Sequence, residues 1–297
     1  MAGRRVLISG ANGFIGTPLA EALTERGDEV VALTRGDAGA GRVHWDPAAG
    51  DLDPAAIEGV DAVVHLAGES IAGLWTSQKK RAIADSRRDG TRLLASAVAA
   101  LAERPRAFVS SSAAGFYGSR GNELLDEDSG NGGGFLAGVV REWEDAAQPA
   151  RDAGIRTVNL RIGLVLGQDG GMLGPMKPLF KLGAGGRLGA GDQWWSWVTI
   201  GDVIRAFLFA IDHDSIAGAY NVAAPDPVTN DEFTKVFGRV LHRPTVIPAP
   251  KFALRLAMRE MADEMLLASQ RVDSSKLRDA GFEFTDTDLA AALAANV

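Results

Sequence analysis

At 297 residues, with 46% hydrophobic and 23% charged side chains, the chain has a globular composition and enough length for one extended domain or two fused ones. A net charge of −7, with Lys and Arg scattered along the sequence, opposes a nucleic-acid backbone, and the absence of cysteine excludes disulfides and thiolate metal sites. Residues 1–5 run straight into Val6-Leu7-Ile8 without an apolar export segment, and there is no uncharged apolar run of about 18 residues, so a cytoplasmic protein with no membrane partner is expected.

In chain order, short β-branched runs alternate with longer stretches of helical period, the pattern of βαβ units around a parallel sheet. Strands are expected at Val6–Ser9, Glu29–Thr34, Asp61–Leu66, Arg106–Ser111 and Ile155–Arg161, with a shorter one at Arg42–Trp45. Between them, Phe14–Arg26 sets Ile15, Leu19, Ala22 and Leu23 on one helical face, and Ser77–Leu101 does the same with Ile83, Leu93, Leu94 and Val98. Beyond Gly163 the alternation loosens into Gly- and Pro-rich stretches at 168–178 and 183–191, followed by a strand-like run from Trp195 to Ile200. Helices are expected at 201–212, 230–241, 250–258 and 287–295, with Thr229 and Asp286 as N-caps.

The first strand leads into Gly10-Ala11-Asn12-Gly13-Phe14-Ile15-Gly16, which opens the first helix. Glycines there let the backbone approach a pyrophosphate, and the helix N-terminus offers unpaired N–H groups and a favourable dipole to the anion. The spacing is GxxGxxG rather than GxGxxG, and its position between strand and helix is what gives the motif weight. An NAD-preferring second strand ends in a carboxylate that bonds the ribose 2′-hydroxyl. This one ends Thr34-Arg35, and a guanidinium matches a 2′-phosphate in geometry and charge. NADP is therefore the expected cofactor; Asp37 just beyond leaves room for NAD, and Arg4 and Arg5 are lesser phosphate candidates.

The glycine loop, His65-Leu66-Ala67-Gly68, Ser110-Ser111-Ser112 and Ser196-Trp197-Val198-Thr199-Ile200-Gly201-Asp202-Val203 together resemble the extended short-chain dehydrogenase/reductase superfamily. Trp75-Thr76, Lys79, Ile83, Ser86-Arg87, Ala113–Gly118, Trp143-Glu144, Leu166–Gly171 and Asn221–Pro227 narrow the resemblance to its atypical subgroup of nucleotide-sugar epimerases. The resemblance implies an α/β fold, a Rossmann-like doubly wound parallel sheet with a small C-terminal substrate-binding lobe. Residues 1–165, joined by the strand-like segment 195–222, would form the NADP-binding domain, and 166–297 the smaller lobe intertwined with it. It also places Gly10, Asn12, Gly13, Phe14, Ile15 and Gly16 on the pyrophosphate, Thr34 and Arg35 at the adenosine end, and Leu66, Ala67 and Gly68 on the ribose side. Ser110, Ser111 and Ser112 would lie near the nicotinamide, with Arg161 to Leu164, Gly163 included, closing over that ring.

Superfamily enzymes use a Tyr with a Lys four residues later on one helix face as the proton-transfer pair. Here Phe135 and Val139 occupy those slots, and of the two tyrosines, Tyr117 is followed at +4 by Gly121 and Tyr220 by Ala224. The candidate catalytic residues are therefore Tyr117 as a substitute acid, with Ser111 or Ser112 bonding a carbonyl oxygen. Against these stand a serine triplet that only caps a loop and a tyrosine that only packs; Lys79 and Glu69 remain as further candidates. His65, inside an apolar strand, suits a hydrogen-bonded core position, and His44, His213 and His242 lack ligand spacing, so no metal is expected. Trp194, Trp195 and Trp197 suit either a flat substrate or the core. The expected function is an NADP-dependent oxidoreductase or nucleotide-sugar epimerase acting on a nucleotide sugar or carbonyl compound, with homodimerisation left open. The rival is an NADPH-sensing regulatory or scaffold protein with little catalysis.

Overall fold

The computed structural model describes residues 3–168 and 170–297; Met1, Ala2 and Asp169, the last within the Leu166–Gly171 match, lie outside the described residues. The first half contains β1 (Arg5–Ser9), α1 (Gly16–Glu25), β2 (Glu29–Thr34), β3 (Arg42–His44), β4 (Ala62–His65), α2 (Ser77–Ala99) and β5 (Ala107–Ala113). It continues through β6 (Leu124–Leu125), α3 (Phe135–Asp145), α4 (Gln148–Asp152) and β7 (Arg156–Ile162). The second half adds β8 (Leu164–Gly167), β9 (Gly170–Gly171), α5 (Leu173–Lys181), β10 (Trp194–Trp195), β11 (Trp197–Thr199), α6 (Ile200–Asp212) and β12 (Gly218–Val222). It closes with β13 (Val228–Thr229), α7 (Asn230–Val240), α8 (Lys251–Met258), β14 (Arg271–Val272), α9 (Ser275–Asp279) and α10 (Leu289–Ala295).

Seven parallel strands form the main sheet in the order β12-β7-β5-β4-β1-β2-β3. The chain winds outward from β1 to β3 and then crosses back to start β4, so the direction of winding reverses between β1 and β4, where open sheets of this kind leave a crevice. The central strands are apolar on both faces because both are covered. Val6, Ile8, Val64 and Val109 pack with Leu19 and Leu23 of α1 and Phe207 of α6, while Leu7, Val63 and Phe108 pack with Leu94 and Val98 of α2. The chain returns to this sheet late, with β12 pairing beside β7.

Departures from the sequence expectations have local causes. The run from Trp195 to Ile200 divides: β10 pairs antiparallel with β13, β11 pairs parallel with β8, and the Ser196 hydroxyl between them donates to the Gln270 carbonyl. Helix α10 is capped by Asp288, which accepts from the Ala291 amide at 2.7 Å, because the Asp286 carboxylate is taken by the Thr199 hydroxyl at 2.7 Å. Thr229 caps α7 in a reciprocal box with Glu232. Helix α5 lies in a stretch whose Pro175 and Pro178 suggested a loop; Pro175 falls in the first turn, where its missing N–H is no loss. Leu173, Phe180, Trp195, Trp197, Phe233, Phe237 and Leu293 form the core of the second half. Among the described residues no helix is long and apolar enough to cross a membrane.

Candidate cofactor and substrate site

A cleft of about 720 Å³ opens at the carboxyl ends of the strands beside the β1/β4 reversal, and Gly10, Asn12, Gly13, Thr34, Arg35, Leu66, Ala67 and Gly68 all line it. Its floor requires glycine. Gly10 has φ +74, and a Cβ there would stand 3.0 Å from the Ala67 nitrogen, whereas a Cβ on Gly16 would stand 2.0 Å from the Gly10 carbonyl oxygen. The Gly13 amide donates to the Gly10 carbonyl at 3.0 Å and the Thr17 amide to the Gly13 carbonyl at 2.9 Å, which folds the loop tightly onto the start of α1. No side chain caps that helix, so the positive end of its dipole is left uncompensated beside the cleft, a fit for a diphosphate. Phe14 and Ile15 contribute backbone only: Ile15 packs into the core, and the Phe14 ring lies so close to Gly167, Gly170 and Gly171 that a Cβ on any of them would meet it.

The wall of the cleft at 66–68 is held by a buried polar row. Register aligns Ser9 with His65 and His65 with Ser110. The Ser9 hydroxyl oxygen accepts the Leu66 and Ala67 amides at 3.1 and 3.2 Å, so its proton goes to His65 Nδ1, 2.6 Å away. That leaves the imidazole proton on Nε2, donated to Thr91 Oγ1 at 2.8 Å. Burial, with Arg87 nearby, pushes the His65 pKa down to about 3; its role is to hold the 66–68 loop, and it is not a base. The folded pKa lies below the ordinary 6.5, so stability is full above pH 6.5 and is lost as pH falls toward 3. Urea unfolding is expected to show about 2 kcal/mol less stability at pH 5 than at pH 7 from this ring alone, and His65→Gln should remove that part of the pH dependence.

At the rim beside the end of β2, Arg35 is exposed and, among the described residues, forms no ion pair, while Thr34 Oγ1 accepts the Gly36 amide at 3.1 Å. The lesser candidates are engaged elsewhere, Arg4 with Asp212 and Arg5 with Glu29. Glu69 also lines the cleft; its 2.6 Å pair with Lys79 holds its carboxyl below the ordinary carboxylate range. Trp45, Asp46 and Pro47, immediately after β3, and Asp85, Ser86 and Asp89 on α2 also line it. None of these has a ligand role assigned from sequence, although the rule that places ligands at strand carboxyl ends points to the first three.

The structure separates the remaining candidates. Ser110 is buried, its hydroxyl donating to the Ser111 carbonyl at 3.0 Å, and Ser112 donates to Glu144 at 2.6 Å. Arg161, expected over the nicotinamide, instead points into the interior, where Nε and Nη2 donate to the two Glu144 oxygens, each at 2.9 Å, and Nη1 to the Tyr117 oxygen at 3.1 Å. Tyr117 is fully buried and donates to Asn221 Oδ1 at 2.8 Å; burial pushes its pKa up to about 12. As a substitute acid Tyr117 is therefore corrected: its hydroxyl is sealed in a network that a proton donor would have to leave. Gly163 is required because the Ser196 carbonyl oxygen would stand 2.3 Å from a Cβ. Only Ser111 of the triplet is half-buried with a hydroxyl bonded to no described residue. Trp195 and Trp197 are core, whereas Trp194 is half-buried and donates to Asn122 at 2.7 Å.

Residues 6–223 match the model of the NAD dependent epimerase/dehydratase family, and residues 249–295 match a domain of unknown function, DUF1731. The chain belongs to the NAD dependent epimerase/dehydratase family. It is 42% identical over 290 residues to an epimerase family protein of Mycobacterium leprae, covering 97% of this chain and 94% of that one. A crystal structure of human epimerase family protein SDR39U1 (isoform 2) with NADPH superposes with a TM-score of 0.90 at 34% identity, covering 98% of both chains. A nucleoside-diphosphate sugar epimerase from Corynebacterium glutamicum superposes with a TM-score of 0.82 at 36% identity; the match covers 99% of this chain and 58% of that longer one.

Within this epimerase-family fold, α3 is the helix that carries the Phe135 and Val139 slots. Val139 is buried, and the Phe135 ring packs edge-on against Trp75 at 5.2 Å. The N-terminus of α3 is closed by Glu264, whose carboxylate accepts the Phe135 and Leu136 amides at 2.7 and 2.9 Å. Glu264 had no local signal in the sequence, since it caps a helix 129 residues away.

Proposed function

We propose that the chain binds NADPH in the β1/β4 cleft and acts as an oxidoreductase or epimerase on a nucleotide-sugar or carbonyl substrate. The observation that carries the reading is the uncapped N-terminus of α1 above a glycine cradle, with Arg35 at the rim. When bound, the cofactor supplies or accepts a hydride. The amides of the 10–16 loop that are not spent within it, as the Gly13 amide is, grip the diphosphate, and Arg35 bonds the 2′-phosphate. The Ser9–His65–Thr91 row fixes the loop at 66–68 against the ribose. Ser111, whose hydroxyl is spent on no described residue, donates a hydrogen bond to the substrate oxygen. The relative crystallised with NADPH supports the choice of cofactor, and the nucleoside-diphosphate sugar epimerase supports the substrate class.

A second reading is favoured by one observation: phenylalanine and valine occupy the proton-transfer slots and Tyr117 is sealed, which suits a sensor of NADPH that turns over little. Titration with NADPH and NADH tests the cofactor. Arg35→Ala is expected to lose about 1.5–3 kcal/mol of NADPH binding with NADH unchanged, and an unaltered affinity ratio would refute the role given to Arg35. Nicotinamide absorbance followed against nucleotide sugars and carbonyl compounds tests turnover. Activity abolished by Ser111→Ala supports the enzyme, and tight binding without turnover on any compound supports the sensor.

A further inference from the structure

Lysine and arginine look scattered along the sequence, yet the fold gathers two stretches that contain no Asp or Glu. Residues 170–191 and 233–259 together hold nine Lys and Arg, in a chain whose formal charge is −7. Everything outside them carries 22 basic against 38 acidic residues. The two stretches touch: Gly186 bridges to Val246 and Leu188 to Ala249, and the Arg243 guanidinium donates to the Lys181 carbonyl at 2.8 Å. On the same part of the molecule stand Leu179, Leu182, Val246, Ile247, Phe252 and Leu256, each between 55 and 83% exposed. Helix α8 buries none of its residues, and its Phe252 and Leu256 share one face while Lys251 and Arg255 flank them.

We propose that this face of the C-terminal lobe docks on an anionic phospholipid surface. Protruding apolar side chains among cations are what an interfacial contact needs, the former entering the acyl boundary and the latter meeting lipid phosphates. Asp231 reaches Arg187 and Lys235, and Asp263 reaches Arg255, whereas Lys181, Arg239, Arg243 and Lys251 form no ion pair among the described residues. Lys235, Arg239, His242 and Arg243 rim an open hollow of about 680 Å³ that a lipid headgroup phosphate fits. A second copy fits poorly, because a two-fold contact sets the same surface against itself and would oppose cation to cation. Nucleic acid fits poorly too, since Phe252 is the one aromatic ring among these protruding side chains, whereas a single strand needs successive rings for its bases to stack on. The acidic remainder of the chain would be repelled by the bilayer, so the chain would approach it lobe first.

Vesicle flotation of the full chain decides the matter, using neutral phosphatidylcholine vesicles and the same lipid with about 30% phosphatidylglycerol, the latter to supply the anionic surface potential. Binding is expected only to the anionic vesicles and should fall steeply with added salt. The triple substitution Lys181→Gln, Arg239→Gln and Lys251→Gln should weaken it about a hundredfold, at about fivefold per cation. Phe252→Ser with Leu256→Ser should also weaken it, and unchanged circular dichroism and thermal midpoint would show that both variants fold. Equal partition into the two vesicle types overturns the proposal, as does binding that neither variant weakens. A single-stranded oligonucleotide bound more tightly than the anionic vesicles would assign the face to nucleic acid. Self-association lost in both variants, with no vesicle binding, would assign it to a second copy.

Discussion

Glu144→Leu is expected to lower the unfolding free energy by about 3–5 kcal/mol in urea titrations at pH 7, with little change in the denaturant slope. The carboxylate and Arg161 are almost wholly buried and share two 2.9 Å hydrogen bonds. Burial disfavours the guanidinium charge, but the hydrogen bonds and charge of Glu144 outweigh it and hold the Arg161 pKa above the ordinary arginine value. Removing the carboxylate alone leaves a cation in the interior against the Tyr117 oxygen and the face of the Phe116 ring, 3.5 Å away, with neither of its two carboxylate hydrogen bonds. The Ser112 hydroxyl loses its acceptor as well. The double substitution Glu144→Leu with Arg161→Met should recover most of the loss, since an apolar pair of similar volume replaces a desolvated ion pair at small net cost. A loss below about 1 kcal/mol in the single variant would show the pair to be solvent-screened.

The same pair shows where sequence reasoning succeeded and where it ran out. The main sheet was legible because its strands are continuous apolar runs and its helices α1 and α2 keep a helical period, so Leu19, Leu23, Leu94 and Val98 fall where their spacing puts them. The glycine loop was legible because the strand before it and the helix after it confine it to one geometry. Arg161 was not. At the end of β7 it occupies the position of a ligand contact, and only the fold brings Glu144, Tyr117 and Asn221 around it, the last from 60 positions away in sequence. Tyr117 misled for the same reason: a tyrosine beside a serine triplet looks accessible until its hydroxyl is found between Arg161 and Asn221. Helix α5 was hidden by prolines, and the Glu264 cap on α3 by the separation of its partners.

Two alanine substitutions in the glycine loop should separate what shapes the cradle from what leaves room in it. On Gly16 a Cβ would stand 2.0 Å from the Gly10 oxygen and 2.9 Å from Ala11 carbons. These are backbone atoms of a loop already pinned by the Gly13 to Gly10 hydrogen bond, so the strain cannot be relieved by turning a side chain. Gly16→Ala is therefore expected to cost about 3 kcal/mol of stability or more and to abolish measurable NADPH binding. On Gly13 the one neighbour within 4 Å of a Cβ is the Gly10 oxygen at 3.1 Å, and the position lines the cleft. Gly13→Ala should change stability by no more than about 1 kcal/mol, yet weaken NADPH by at least about tenfold, because the methyl group occupies space the diphosphate needs and one charge-assisted hydrogen bond is worth about that much. Calorimetric titration beside urea unfolding reads both quantities. If Gly13→Ala bound NADPH as tightly as the parent chain while keeping its stability, the diphosphate would have to lie elsewhere than over the N-terminus of α1.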